Sequence, residues 1–212
     1  RRSWHYQPPV SLFSRRPPDP RVVADPHRLP PGQVLTEKWP VLNYGPTVRY
    51  KAADLERWRL RIGGEVDNEL ELSLDELKAL PTADIRCDIY CVTTWSRFDN
   101  IFHGCRFRTL FEQAGLRPSA HFAVLQCARD FTTSVPVDDL RADDCAVVWL
   151  HDGVDLTAEH GFPLRALVPK KYFWKSAKWL EGIRLVDRDQ LGFWERNGYN
   201  NSADPWREER YW

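Results

Sequence analysis

Hydrophobic and polar side chains alternate with a period of two along residues 85–92. This alternation is typical of a β-strand with one buried face, and it places Cys91 near the end of that strand. Polar residues then take over, and we predict a polar loop over 93–104. The loop carries Trp95, Arg97 and His103. Functional sites often form where a buried strand opens onto such a loop, which makes Cys91 a candidate site residue.

Shorter periodic segments along the rest of the chain predict a mixed α+β domain. Further strands are predicted at 57–63, 121–127, 132–137, 146–150, 164–169 and 180–186, and short helices at 73–80, 108–114 and 138–141. The helix at 73–80 begins with Ser73 and carries Glu76 three residues later, which is the pattern of a capping box. Gly115 follows the helix at 108–114 and is expected to end it.

Composition divides the chain into three parts. Residues 1–33 are rich in proline, which fixes φ and removes hydrogen-bond donors, so we expect an extended arm there. Residues 34–191 carry the periodic segments and form the folded domain, and residues 192–212 form an aromatic tail that we expect to pack on it. The segment at 30–47 has no regular period. Its aromatic residues Trp39 and Tyr44 either pack across the core or form a flap over a ligand.

Charge and cysteine content narrow the function classes. The 30 basic and 30 acidic residues balance, so nothing global favours nucleic acid or a membrane surface. No apolar run approaches the roughly 20 residues that span a bilayer. Five scattered cysteines favour a reducing compartment, so we expect a cytoplasmic protein without a disulfide framework. The chain contains no methionine, which indicates a trimmed N-terminus and leaves an earlier export signal open.

A basic segment at 161–184 contains six Lys or Arg residues and one acidic residue. Arg165 can bind a phosphate through two parallel hydrogen bonds, lysines act as mobile point charges, and Ser176 adds a hydroxyl. Three interpretations remain open from the residues themselves. The segment is a solvated face, a nucleic-acid stripe with interleaved aromatic rings, or a compact pocket for a phosphorylated small molecule.

Cys91 has two interpretations as well. A free cysteine is often a small buried hydrophobe that only fills space in the core. Alternatively, its thiolate is a ligand to a soft metal centre, which holds the sulfur deprotonated.

Several motifs in order resemble the molybdopterin-binding domain of the sulfite oxidase family, in particular its short prokaryotic members. They are LPPGQVLTEKWPVL (29–42), CVTTWS (91–96), CARDFTTSVPVDDL (127–140), HGFPLR (160–165), VPKKYFWKSAKWLEGI (168–183) and GFWERNGYNNSADPW (192–206). The likeness covers nearly all of residues 29–212. It implies the α+β fold of that domain, with mixed sheets and short helices, and it makes 34–191 the catalytic domain.

The resemblance also implies one molybdenum, or tungsten, held by the dithiolene of one pyranopterin, and no haem in this chain. Its protein ligand falls on Cys91. Contacts to the pterin and its phosphate fall on Trp39, Cys127, His160, Arg165, Lys175, Ser176 and Lys178. His160 stands where related methionine-sulfoxide reductases have Asn, and Cys127 stands where they have Thr. The polar groups expected beside the metal are Arg97, Asp130 and Tyr172, with Arg97 as the ligand of a substrate oxyanion.

The activity implied by the resemblance is oxygen-atom transfer on a small substrate, either sulfite oxidation or reduction of an S-oxide or N-oxide. The haem and dimerisation domains of animal sulfite oxidases have no counterpart in the sequence. Electrons are therefore expected to pass to an external partner, and the protein is expected to be a monomer or a dimer of another kind. A noncatalytic anion-binding domain, in which Cys91 is only structural, is the alternative.

Overall fold

Two β-sheets, joined by short helices, form the body of the protein. The computed structural model describes residues 26–212, so most of the expected proline-rich arm at 1–33 lies outside the described residues. The strands are β1 (Val34–Leu35), β2 (Leu60–Gly64), β3 (Leu70–Leu72), β4 (Thr82–Tyr90), β5 (Trp95–Arg106), β6 (Phe122–Cys127), β7 (Phe131–Pro136), β8 (Ala146–His151), β9 (Val154–Asp155), β10 (Arg165–Leu167) and β11 (Leu180–Val186). The helices are α1 (Ala52–Arg57), α2 (Leu74–Lys78), α3 (Phe107–Ala114), α4 (Val137–Leu140) and α5 (Phe193–Arg196), with short 3-10 turns at Pro26–Arg28, Ala128–Asp130 and Ala158–His160.

The first sheet is built around β5, which pairs with β1, β4 and β8. The pairs with β4 and β8 are antiparallel, whereas the short β1 runs parallel to β5. β8 continues the sheet to β9 and β10. The second sheet has the order β3-β2-β11-β6-β7, with a parallel pair between β11 and β2. Antiparallel and parallel pairs therefore mix in both sheets, and the predicted α+β class is confirmed.

The helices are short, and local sequence signals define their ends. At α2, the Ser73 hydroxyl accepts a hydrogen bond from the Glu76 backbone N–H, and the Glu76 carboxylate accepts one from the Ser73 N–H, as the capping box predicts. α3 buries Phe107, Leu110 and two further apolar side chains in the core. It ends at Gly115, whose φ of +66° lies in the left-handed region. No helix in residues 26–212 has the length and hydropathy needed to span a bilayer.

Most predicted elements are confirmed within a few residues, but the loop predicted at 93–104 is wrong. Residues 95–106 form β5, a long central strand of the first sheet. Its polar side chains are buried because they have hydrogen-bond partners: Ser96 Oγ donates to Gln33 Oε1 at 3.2 Å, and Asn100 Nδ2 donates to Arg97 O at 2.9 Å. Buried polar side chains interrupt the alternation of hydrophobic residues, so the sequence pattern does not predict this strand.

The aromatic tail packs on the domain through a buried ion pair. Lys175 Nζ lies 2.5 Å from Glu195 Oε1, and both side chains are fully buried. The same ammonium donates to Ser134 O at 2.8 Å and to Asn201 Oδ1 at 3.0 Å. Burial lowers the pKa of Lys175, and the carboxylate of Glu195 opposes this effect. A buried pair broken by removal of one partner is strongly destabilising, so this contact fixes the tail against the segment that precedes β11.

A three-residue loop connects β4 to β5 directly after Cys91. The Cys91 N–H donates to Trp95 O at 2.9 Å, and the Thr94 N–H donates to Cys91 O at 3.0 Å. Thr94 has a φ of +73°. A type I turn followed by one left-handed residue is a common three-residue hairpin loop, but that residue is usually glycine. A β-branched residue is strained in this region, so the loop beside Cys91 stores backbone strain.

We therefore expect Thr94→Gly to stabilise the protein, because glycine adopts this φ without strain. The expected gain is about 1 kcal/mol after the entropy cost of glycine, or a rise in Tm of roughly 2–4 °C for a chain of this size. Thermal unfolding measures it. Thr93→Gly is the matched control, since Thr93 lies in the same loop at negative φ and should lose stability. A fall in Tm for Thr94→Gly would contradict the assignment of strain.

Candidate active site

Cys91 lies at the end of β4 with its backbone held on both sides. Gln33 Nε2 donates to Cys91 O at 3.1 Å, and the loop hydrogen bonds hold its N–H. The thiol is buried, with Sγ 3.2 Å from the Thr93 hydroxyl. Burial raises the pKa of Cys91, while the Thr93 hydroxyl and the charges of Arg210 and Lys178 act in the opposite direction. The free thiol is therefore protonated, and a bound metal ion would deprotonate it.

Strand β10 and the residues after Lys175 bring the basic residues together. The backbone of Arg165 bridges to that of Lys178, and the Ala166 N–H donates to Ala177 O at 2.9 Å. Gly161 packs against this pair, with a φ of +110°. A Cβ at Gly161 would come within 3.1 Å of the Cβ atoms of both Arg165 and Lys178, so glycine permits the close approach.

Arg165 is a buried cation without a carboxylate partner in residues 26–212. Only 2% of its surface is exposed. Its guanidinium donates to His160 O at 2.9 Å and to Ser176 O at 2.6 Å, and it lies 4.3 Å from the centroid of the Phe173 ring. Burial lowers the pKa of Arg165 to about 9. A buried cation without a counter-ion costs free energy, and a bound anion can offset that cost.

Lys178 is a half-buried cation beside Arg165. Its ammonium donates to Leu42 O at 2.7 Å, to Glu159 O at 2.9 Å and to the Asn43 side chain. Burial and then the charge of Arg165 lower the pKa of Lys178 to about 7. Within the part of the chain that the structure describes, Lys178 forms no ion pair. Two neighbouring cations, the buried Arg165 and the half-buried Lys178, therefore lack a carboxylate counter-ion among the described residues.

A cavity of about 320 Å³ lies between the Cys91 loop and these cations. Nine of its 22 lining residues are Phe, Tyr or Trp. Its lining residues are Trp39, Pro40, Leu42, Asn43, Tyr44, Cys91, Val92, Thr93, Trp95, Ala128, Arg129, Phe131, His160, Arg165, Phe173, Trp174, Ser176, Ala177, Lys178, Trp179, Trp194 and Tyr199. Among these described residues none is acidic. The Cys91 thiol, the cations Arg165 and Lys178, and apolar side chains thus line one cavity that is large enough for a small ligand.

Residues 36–47, which we call the cover segment, close one side of the cavity. Trp39 stacks on His160 with a centroid distance of 3.9 Å and an interplanar angle of 16°, and it also contacts His151 at 4.3 Å. The Lys178 hydrogen bonds to Leu42 and Asn43 hold the segment further along. Of the two interpretations of residues 30–47, the flap over a cavity agrees with these contacts.

Six of the predicted site residues line this cavity together. They are Trp39, Cys91, His160, Arg165, Ser176 and Lys178. The Ser176 hydroxyl accepts the Val168 N–H at 2.8 Å and keeps its own hydrogen as a donor. Sequence separation between these residues reaches well over a hundred positions, so the fold alone brings them together.

Five other predicted site residues do not line the cavity. Lys175 is occupied by Glu195, and Cys127 is packed in the main core. Tyr172 is fully buried, with Arg210 above its ring at 5.0 Å. Asp130 is exposed on the loop between β6 and β7. None of these four side chains lines the cavity, although Tyr172 belongs to the same buried cluster as Cys91.

Arg97, the predicted oxyanion ligand, is the fifth. Its guanidinium lies 2.9 Å from His151 Nε2, pairs with Asp152 Oδ2 at 2.9 Å and contacts the Asn100 side chain. The prediction placed Arg97 in a loop, whereas it lies in β5. The remaining donor of Arg97, Nε, lies 3.3 Å from Glu37 O in the cover segment, so its hydrogen-bond donors are used by neighbouring groups.

Sequence reasoning missed several lining residues. Arg129 comes from the loop between β6 and β7, Phe131 is the first residue of β7, and Trp194 and Tyr199 come from the tail. Arg129 and Phe131 lie within the motif at 127–140, but no local pattern marks them as cavity residues. The tail had a signal in its density of aromatic residues, but these were assigned to packing. Trp194 and Tyr199 stack at 4.8 Å, and Trp174 contacts Tyr199 at 5.0 Å, so one aromatic cluster serves both the core and the cavity wall.

The comparisons with known proteins agree with this geometry. Residues 46–194 match the oxidoreductase molybdopterin binding domain family. An uncharacterized oxidoreductase of Bacillus subtilis, YuiH, is 43% identical over 184 residues, which cover 87% of this chain and 92% of that protein. A putative protein-methionine-sulfoxide reductase subunit of Azospira oryzae, YedZ1, is 28% identical over 179 residues and covers 83% of this chain and 68% of that protein.

A solved structure shares the fold. The crystal structure of the sulfane dehydrogenase SoxCD from Paracoccus pantotrophus superposes with a TM-score of 0.62 at 19% sequence identity, over 72% of this chain. This chain spans 42% of the length of that one. The protein belongs to the oxidoreductase molybdopterin binding domain family, and it is an oxidoreductase of the sulfite oxidase type. The family and fold expected from the motifs are therefore confirmed.

Histidine burial at this site predicts a pH effect on the stability of the cofactor-free protein. Burial, with the charges of Arg165 and Lys178, lowers the pKa of His160 to about 4. Between this value and the ordinary pKa of about 6.5, the unfolded chain binds more protons than the folded one, so stability falls as pH falls through this window. We expect His160→Gln to reduce the loss of Tm between pH 7 and pH 5.

Thermal unfolding at the two pH values measures this effect. His121→Gln is the matched control, because His121 is exposed and should leave the pH dependence as in the wild type. An identical pH dependence for wild type and His160→Gln would mean that His160 is not buried in its neutral form.

Proposed function

We propose that this protein uses a molybdenum or tungsten pyranopterin bound in the Cys91 cavity to transfer an oxygen atom to or from a small sulfur- or nitrogen-centred substrate. The observation that carries the proposal is a buried thiol facing a cavity lined by the buried Arg165 and the half-buried Lys178, with no acidic lining residue among those described. Such a donor set fits a group with a soft metal at one end and a phosphate at the other.

In this proposal the residues of the cavity divide the work of holding the cofactor. Cys91 supplies the thiolate ligand, and the hairpin loop fixes its orientation through the hydrogen bonds to Gln33 and Trp95. Arg165, Ser176 and Lys178 would receive the phosphate, which would supply the counter-ion that the two cations lack. The bound metal supplies two-electron redox chemistry that no side chain can perform. The aromatic walls exclude water and position the substrate.

The names of two relatives support a substrate class. One relative is named a catalytic subunit of a protein-methionine-sulfoxide reductase, from Campylobacter jejuni, and another a mitochondrial sulfite oxidase, from Drosophila melanogaster. Both chemistries move oxygen at sulfur, in opposite directions. We therefore propose that the substrate reacts at a sulfur atom, with an N-oxide as the second candidate. A dye-coupled screen of sulfite and S-oxides measures the direction of oxygen-atom transfer.

Electron exchange and location complete the proposal. We propose that the described part carries no haem and exchanges electrons with an external protein, either as a monomer or as a dimer of its own kind. The five cysteines are all free thiols, which supports a reducing compartment and hence the cytoplasm. An absorption spectrum without a Soret band and recovery of the protein in the cytoplasmic fraction are the expected results.

We expect Cys91→Ser to abolish retention of the metal and all dye-coupled turnover, because the serine hydroxyl is a much poorer ligand for a soft metal. Metal analysis of protein expressed with molybdate measures this, with about one molybdenum per chain in the wild type. Cys105→Ser is the control, since Cys105 is buried away from the cavity and should keep its metal. Metal-free wild type that still binds phosphate ligands would instead support a noncatalytic binding domain.

The proposed phosphate-binding residues Arg165, Ser176 and Lys178, which we call the anion cradle, give a second expected result. Lys178→Ala should reduce pterin content, because it removes a charge-assisted contact typically worth about 1.5–3 kcal/mol. Lys170→Ala removes the same charge from an exposed position of the same basic segment and should leave the pterin content unchanged. Fluorescence of the oxidised pterin released from purified protein measures both. Full occupancy in Lys178→Ala would contradict the cradle.

A further inference from the structure

Arg129 is a cation at the mouth of the cavity that none of the predicted roles uses. It lies in the loop between β6 and β7, and Cys127 pairs with Phe131 across that loop. Arg129 lines the cavity together with Ala128 and Phe131 and is itself exposed. Its Nη1 lies 4.0 Å from the position that a Cβ of Gly45 would take, so the guanidinium lies against the cover segment.

The backbone at this loop is unusual. Arg129 has φ 64° and ψ 32°, and the next residue, Asp130, has a φ of 58°. Two successive left-handed residues are the geometry of a tight hairpin turn, where Asn-Gly would fit with little strain. Arg and Asp in these positions cost free energy, and such strain tends to occur at functional sites. A long cationic side chain is thus held at the cavity mouth at a cost to the fold.

The guanidinium of Arg129 also has no polar partner among the described residues. Within residues 26–212 it forms no hydrogen bond and no ion pair, whereas Arg165 and Lys178 donate to carbonyl groups and Arg97 to side chains in its own sheet. Arg165 is buried and Lys178 is half-buried, while Arg129 is exposed to solvent. An exposed, unpaired arginine at a cavity mouth attracts anions and can bind an oxyanion through two parallel hydrogen bonds.

We propose that Arg129 recognises the negative charge of the substrate at the mouth of the cavity, so that the enzyme acts on small oxyanions in preference to neutral S-oxides or N-oxides. The kinetic experiment that tests this inference rests on the proposed oxygen-atom transfer. It assigns to Arg129 the role that the sequence predicted for Arg97.

The kinetic arm compares wild type with Arg129→Gln and Arg129→Lys, using the cofactor-loaded protein. The expected result for sulfite with a dye acceptor is a KM raised on the order of tenfold in Arg129→Gln, with kcat within about twofold of the wild type. Arg129→Lys should recover part of the loss. Arg188→Gln, an exposed change outside the cavity, should leave both constants unchanged. An unchanged KM for sulfite, or turnover confined to neutral dimethyl sulfoxide, would overturn the inference.

A binding arm separates this inference from the proposed reaction. Calorimetry with sulfate, an oxyanion that cannot be oxidised further, should give a dissociation constant about tenfold weaker for Arg129→Gln than for the loaded wild type. This result without any turnover would support the role of Arg129 while rejecting oxygen-atom transfer. Equal affinities would overturn the role of Arg129 whatever the turnover. A loss of pterin in Arg129→Gln would also overturn it, because Arg129 would then be a cofactor contact.

Discussion

The positive charge of the buried Arg165 and the half-buried Lys178 is the constraint on which the rest of this structure depends. Taking a cation out of water is costly unless a counter-ion is present, and no carboxylate among the described residues pairs with either side chain. Backbone carbonyl groups provide partial solvation, and burial still lowers the pKa of Lys178 to about 7. The folded chain is therefore prepared for an anion, and the thiol of Cys91 lies across the same cavity.

Distant parts of the chain hold this arrangement in place. The tail contributes twice: Glu195 neutralises Lys175, and Arg210 donates to Val92 O at 2.9 Å behind the Cys91 loop. The cover segment contributes Trp39 and the groups that accept hydrogen bonds from Lys178. Neighbouring lysines in the sequence thus have different roles. Lys175 forms a structural ion pair, whereas Lys178, three residues later, donates only to neutral groups and keeps a charge that no described carboxylate neutralises.

Much of this was predictable from the sequence, and the failures have physical causes. Periodicity and capping gave most strands and α2, and Cys91 was correctly placed at the end of a strand. β5 was missed because its buried Ser96 and Asn100 are satisfied by hydrogen bonds, which a hydrophobic period cannot register. The choice between Lys175 and Lys178 depends on a carboxylate twenty residues away in the tail. Arg129 was missed because its position depends on a strained turn with no sequence signal of its own.

The most direct test of the account is a crystal structure of protein expressed with molybdate, with anomalous diffraction data collected at the molybdenum edge. The account predicts one anomalous peak within bonding distance of Cys91 Sγ and the phosphate of the bound cofactor in contact with Arg165 and Lys178. A metal bound elsewhere, or a fully loaded protein whose Cys91 thiol is free and in which Arg165 and Lys178 face no anion, would contradict it.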